Sequence, residues 1–155
     1  MPDVGGITRD KPNTYCAQLQ ESNEFEEIFE AVKRSVKDFL NIERTGLELY
    51  LRELPLEVGA FHKIGTDMIV MNRALIDRVI EAQVNLAGLR SFIYNILLHE
   101  YLHSLGFYDE LETRRLTYEI SRISLGEKHP ATILAKKGPW AILDGGLTSS
   151  DKPWN

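Results

Sequence analysis

Residues 91–109 read SFIYNILLHEYLHSLGFYD, and the fold turns on how this stretch is taken. Apolar side chains precede His99 without a break from Ile96, and Leu102 and Leu105 follow it, so the segment is apolar on nearly every side. A helix of that kind is buried rather than laid on a surface. The pattern predicts a helix from about Ser91 to Leu105, with Gly106 in the place where a glycine commonly ends one. Inside it stand His99, Glu100 and His103. Unpaired buried polar groups cost about 1–3 kcal/mol each, so the three need partners.

Residues four apart share a helix face, so the imidazoles of His99 and His103 can converge on one ion. Glu100, rotated by one position, can reach a water at that ion and act as general base. Cys16 is the only cysteine, so an internal disulfide and a four-thiolate cluster are both excluded and any metal must take nitrogen and oxygen ligands. Zinc is the natural ion: it lowers the pKa of its water to about 7 and polarises a carbonyl, which is the chemistry of peptide hydrolysis.

Outward from this segment, Phe25, Ile28, Phe29, Val32, Val36, Phe39 and Leu40 recur at helical spacing, with Asn23 as expected N-cap and Glu26 as its reciprocal partner. After Gly46 the period becomes two through Leu47, Leu49 and Leu51 until Pro55, which reads as a strand. The runs VGAFHK and DMIVMN around IGT predict a hairpin over 58–72. Asn72 can cap a helix over RALIDRVIEA, a further helix spans about 110–125, and a short one about 131–136. Residues 1–20, polar and with two glycines and two prolines, read as a loose arm; residues 21–137 form the domain, and 138–155 a loop-rich tail. The fold class is α+β, with a sheet of three or four strands packed on the N-terminal helix and on the helix of His99 and His103.

Composition narrows the function. At 155 residues, 43% apolar and 26% charged, one globular core is expected. Twenty-three acids against 18 bases give a net charge of −5 and no basic stripe, so nucleic acid is not an expected partner. No apolar run approaches the roughly 18 residues that cross a bilayer, so no membrane is expected. The amino terminus carries neither an apolar leader nor an arginine-rich transit segment, and the expected location is the cytoplasm.

HEYLHSLGFYD resembles the motif of the zinc metallopeptidases called zincins, and the order helix, strands, hairpin, helix, HExxH helix, helix is similar to their small archaeal members, the minigluzincins. The resemblance implies a zincin-like domain, one catalytic zinc held by His99 and His103, Glu100 as base, and a peptide or unfolded protein as substrate. It also implies a third ligand. In the metzincin pattern Gly106 and Asp109 fill the turn and ligand places; in the gluzincin pattern Glu112 or Glu119 on the next helix would serve, and His129 is a further alternative. Asp109 is the expected ligand, although Asp109 and Glu112 also form a helix-capping pair. No methionine follows the motif, as metzincins would require.

By the same resemblance, Gly59–Lys63, with His62, borders a cleft and pairs with extended substrate, and the tail holds the enzyme inactive within a homo-oligomer. Trp140 is its expected anchor, with Trp154 further along. Tyr108, Tyr118 and His129 can each donate a hydrogen bond to developing negative charge. Two other functions fit the motif: a non-enzymatic domain in which zinc staples two helices, and a zinc-dependent RNA hydrolase, whose motif has glycine where Glu100 stands.

Overall fold

The structure is a computed structural model that describes residues 11–143. Its elements run α1 (Lys11–Gln20), α2 (Phe25–Leu40), β1 (Glu48–Arg52), β2 (Ala60–His62), β3 (Met68–Asn72), α3 (Arg73–Glu81), α4 (Leu86–Ser104), α5 (Glu110–Leu125), α6 (Pro130–Lys137) and a 3₁₀ turn at Pro139–Ile142. This is an α+β domain with one small mixed sheet of order β1-β3-β2. β1 runs parallel to β3, Glu48 opposite Met68 and Arg52 opposite Asn72. β2 runs antiparallel to β3, with His62 opposite Ile69. β3 is therefore central and most deeply buried, and β2 is left as an edge.

α4 is the axis of the core. Phe92, Tyr94, Leu97, Leu98, Tyr101 and Leu102 are each fully buried, and they join Val32 and Val36 of α2, Ile69 and Met71 of β3, Ile120 of α5 and Leu134 of α6 in one cluster. The all-round apolar character of α4 is what allows α2, the sheet, α5 and α6 to surround it. None of the described helices is long and apolar enough to cross a membrane.

Three local expectations are corrected. Residues 11–20 are not a loose arm: α1 buries Tyr15 and Leu19, four apart on one face, and Tyr15 Oη donates to Asp38 of α2. The cap of α2 is Glu24 rather than Asn23, and Glu27, not Glu26, is the reciprocal partner, accepting from the Asn23 and Glu24 amides at 2.7 and 3.1 Å. Asn23 Oδ1 is instead held by Arg90 of α4 at 3.1 Å. Finally, α4 starts at Leu86, five residues before Ser91, because Asn85 caps it by accepting from the Gly88 amide at 2.8 Å.

Two hubs fix the parts that border the site. Asn72, at 0% exposure, accepts from the Leu54 and Ala74 amides at 3.0 Å and donates to the Pro55 and Val58 carbonyls at 2.9 and 2.7 Å, tying the β1–β2 connection to the start of α3. Arg44 donates to the Ser104 carbonyl at 2.7 Å and to the Thr66 carbonyl and Asp67 at 2.9 Å. A cation at the carbonyl end of α4 complements the helix dipole, and it anchors the turn that carries His103 to the β2–β3 turn.

Candidate metal centre

α4 ends at Ser104, and Gly106 takes φ +105°, a conformation that L side chains rarely adopt. The chain reverses there, and α5 begins at Glu110 after only five residues. Asp109 is the N-cap of α5: its Oδ2 accepts from the Glu112 amide at 3.0 Å. With that carboxylate committed to the cap, the next residue faces back to α4. Glu110 Oε1 lies 2.6 Å from His103 Nε2, and Oε2 lies 3.2 Å from His99 Nε2.

The two imidazoles meet edge to face, their Nε2 atoms 3.2 Å apart. His103 Nδ1 lies 2.7 Å from the Phe107 carbonyl, an acceptor only, so Nδ1 carries the proton and donates. In the neutral ring that leaves Nε2 as the lone-pair nitrogen, the arrangement that second-sphere carbonyls impose on metal-binding histidines. The His103 Nε2 lone pair and the Glu110 carboxylate, 2.6 Å apart, repel unless a positive charge sits between them, a proton or a metal ion. This donor set of two nitrogens and a carboxylate suits zinc. The side chains of His99 and His103 keep 21% and 16% exposure, so the site is largely dry but reachable.

Glu100 completes the cluster: His99, Glu100 and His103 offer ligand atoms within 4.8 Å of one another. Burial pushes the Glu100 carboxyl up to about 7, the nearby Glu110 charge adds to the rise, and His103 and the His62 backbone amide oppose it. A carboxyl balanced near neutrality can take and give a proton. Burial also pushes the His99 pKa down, which favours the neutral, ligating ring. For Glu110 burial acts upwards, but His99 and the hydrogen bonds from both histidines outweigh it and hold the carboxyl below its ordinary value.

A cavity of about 610 Å³ opens beside the cluster, walled by Glu57–Ala60 before and along β2, by Asn95, Ile96, His99 and Glu100 of α4, by Glu110, Arg114 and Thr117 of α5, and by the 3₁₀ turn. Trp140 in that turn lies against Gly59, where a Cβ would stand 3.0 Å from the indole, and its ring centroid is 6.4 Å from that of Phe92. The start of the expected tail is thus part of the wall, with Ile142 buried. Trp154 and the rest of the tail lie outside the described residues.

The structure brings His99, Glu100 and His103 together and leaves Asp109 out. Glu112 is exposed, Glu119 pairs with Arg122 at 2.8 Å, and His129 caps α6 by accepting from the Ala131 amide at 3.0 Å. Tyr108, Tyr118 and His129, the expected oxyanion donors, do not line the cavity. His62 faces its own hairpin, Nε2 lying 3.0 Å from the Thr66 carbonyl. Glu110 is the residue that sequence reasoning missed. The D-x-x-E pair signals the helix cap that occupies Asp109, but no local pattern marks Glu110, whose place depends on the five-residue turn. Comparison with protein-family profiles, with curated proteins and with solved structures finds no match to this chain.

Proposed function

We propose that this chain is a zinc metallopeptidase in which His99, His103 and Glu110 hold the metal and Glu100 is the general base. The observation that carries the reading is the convergence of His99 Nε2, His103 Nε2 and the Glu110 carboxylate, within 2.6–3.4 Å of one another, with His99 and Glu110 on the wall of an open cavity. Zinc, when bound, supplies Lewis acidity that polarises the scissile carbonyl and acidifies the attacking water. Glu100, with a carboxyl near neutrality, accepts the proton from that water and returns it to the leaving nitrogen. The Gly59–Ala60 backbone borders the same cavity at the start of the β2 edge that no described strand pairs, ahead of the His62 amide that Glu100 holds, so an extended peptide can hydrogen-bond there.

The cavity favours an enzyme over a purely structural staple, since a closed structural site has no use for an adjoining space with a titratable acid on its wall. The test is zinc analysis with digestion of unfolded casein. The wild type is expected to carry one zinc per chain and to cleave casein, and Glu100→Gln to keep the zinc and lose cleavage by orders of magnitude. Zinc-loaded, folded protein that leaves casein intact, or that cuts ribosomal RNA instead, overturns the reading. Loss of metal from Glu100→Gln would make Glu100 a ligand and not the base.

A further inference from the structure

We propose that the side-chain amide of Asn95 is a substrate-binding group whose Nδ2–H, closed off by the protein in the unliganded chain, turns about the soft terminal torsion to donate to a peptide carbonyl lying in the cavity beside His99 and Glu100. Asn95 is 3% exposed, it lines the cavity, and its Nδ2 is buried without any hydrogen-bond partner. Buried polar side chains are nearly always satisfied, and an exception calls for a reason. Asn72, the other fully buried asparagine of the described core, shows what a structural one does here: it uses its oxygen twice and its nitrogen twice. Asn95 Nδ2, in contrast, bonds to nothing among the described residues. It stands on a helix that is apolar around it, flanked by Phe92, Ile96 and Leu98, where a leucine would suit the core better.

The ligand chemistry follows from the cavity. A donor without a partner selects an acceptor. Glu57, Glu100 and Glu110 line the cavity against Arg114 and Lys137, so a neutral carbonyl oxygen is favoured over an anion. Asn95 is one helical turn before His99, which places the two side chains about 5–6 Å apart at Cβ. An extended chain advances about 3.3 Å per residue. The amide therefore meets a carbonyl one or two residues from the scissile bond and sets the register of the substrate. Only the identification of the ligand as a peptide rests on the metallopeptidase reading.

The experiment uses the full zinc-loaded chain with Glu100→Gln to prevent cleavage, and fluorescein-labelled casein as probe, followed by anisotropy. Adding Asn95→Leu or Asn95→Asp is expected to weaken casein binding about tenfold, the loss of one hydrogen bond, with zinc content unchanged. Asn95→Leu should leave the melting temperature unchanged or raised, because it removes a buried unpaired donor. Equal affinity in both variants overturns the proposal. So does a fall in melting temperature in both, which marks a structural role, and so does an absence of casein binding before Asn95 is changed. Weakened binding by the Asn95 variants, together with no casein cleavage when Glu100 is intact, would overturn the peptidase reading and leave Asn95 as a peptide-binding group. Cleavage by the wild type with unaltered affinity in the variants would overturn the Asn95 proposal alone.

Discussion

The Glu110 carboxylate lies 2.6 Å from His103 Nε2, while that of the preceding Asp109 is turned away to the Glu112 amide at 3.0 Å. One residue caps the helix and its neighbour completes the donor set. Glu110→Ala should therefore weaken zinc binding by more than the roughly 10- to 100-fold that losing an outer-sphere partner costs. Asp109→Ala should cost about 1 kcal/mol of stability, as for any lost N-cap, and keep the metal. Competition with a zinc chelator and urea unfolding separate the two; metal loss from Asp109→Ala alone would reverse the assignment.

Asn72 makes four hydrogen bonds from a side chain with no solvent exposure. Asn72→Ala strands two amides and two carbonyls in or near the core, and should destabilise by about 2–4 kcal/mol. Asn72→Asp keeps the acceptors but loses both donors, and should be comparably damaging. Chemical denaturation checks both, and a loss under about 1 kcal/mol would show that the 54–58 connection does not depend on Asn72.

His129 is held neutral by burial, its pKa pushed down from 6.5 to about 4. Between those values the unfolded chain binds a proton that the folded chain does not. Stability is full above pH 6.5 and is lost as pH falls towards 4, by about 3 kcal/mol at 1.36 kcal/mol per pH unit. His129→Asn keeps an acceptor for the Ala131 amide but takes up no proton, so its stability should decline less over this range. Parallel pH dependence in the two proteins, measured by urea unfolding, would contradict the assignment.

Gly106 takes φ +105°, and a Cβ added there would meet no atom within 4 Å, so its constraint is conformational and not one of space. Gly106→Ala should cost on the order of 1 kcal/mol through the backbone alone. Because the reversal at Gly106 sets where α5 starts, the variant should also bind zinc more weakly than wild type. Undiminished affinity in a folded Gly106→Ala protein would show that other contacts fix Glu110.

What could be read from the residues was whatever repeats or punctuates. The apolar run before His99 gave a buried helix, Asn72 marked the start of α3, and the helix from Glu110 to Leu125 was visible in its pattern. α1 was hidden because, among its described side chains, only Tyr15 and Leu19 are fully buried, and two positions do not make a period. The cap of α2 moved by one because Arg90, 67 residues away, takes the Asn23 side chain. The parallel pairing of β1 with β3 joins elements separated by β2 and has no local sign. At the site, His99, Glu100 and His103 were legible because their spacing is helical, and Glu110 was not, because its place depends on a five-residue turn.

The most direct measurement of the central claim is anomalous diffraction at the zinc edge from crystals of the zinc-loaded chain. The account predicts one strong peak at ordinary zinc–ligand distance from His99 Nε2, His103 Nε2 and the Glu110 carboxylate, with Asp109 still on the Glu112 amide and Glu100 beside the metal but not bound to it. A peak ligated by Asp109 or closed by Glu100 as a fourth protein ligand, or no peak between the two histidines, would contradict it.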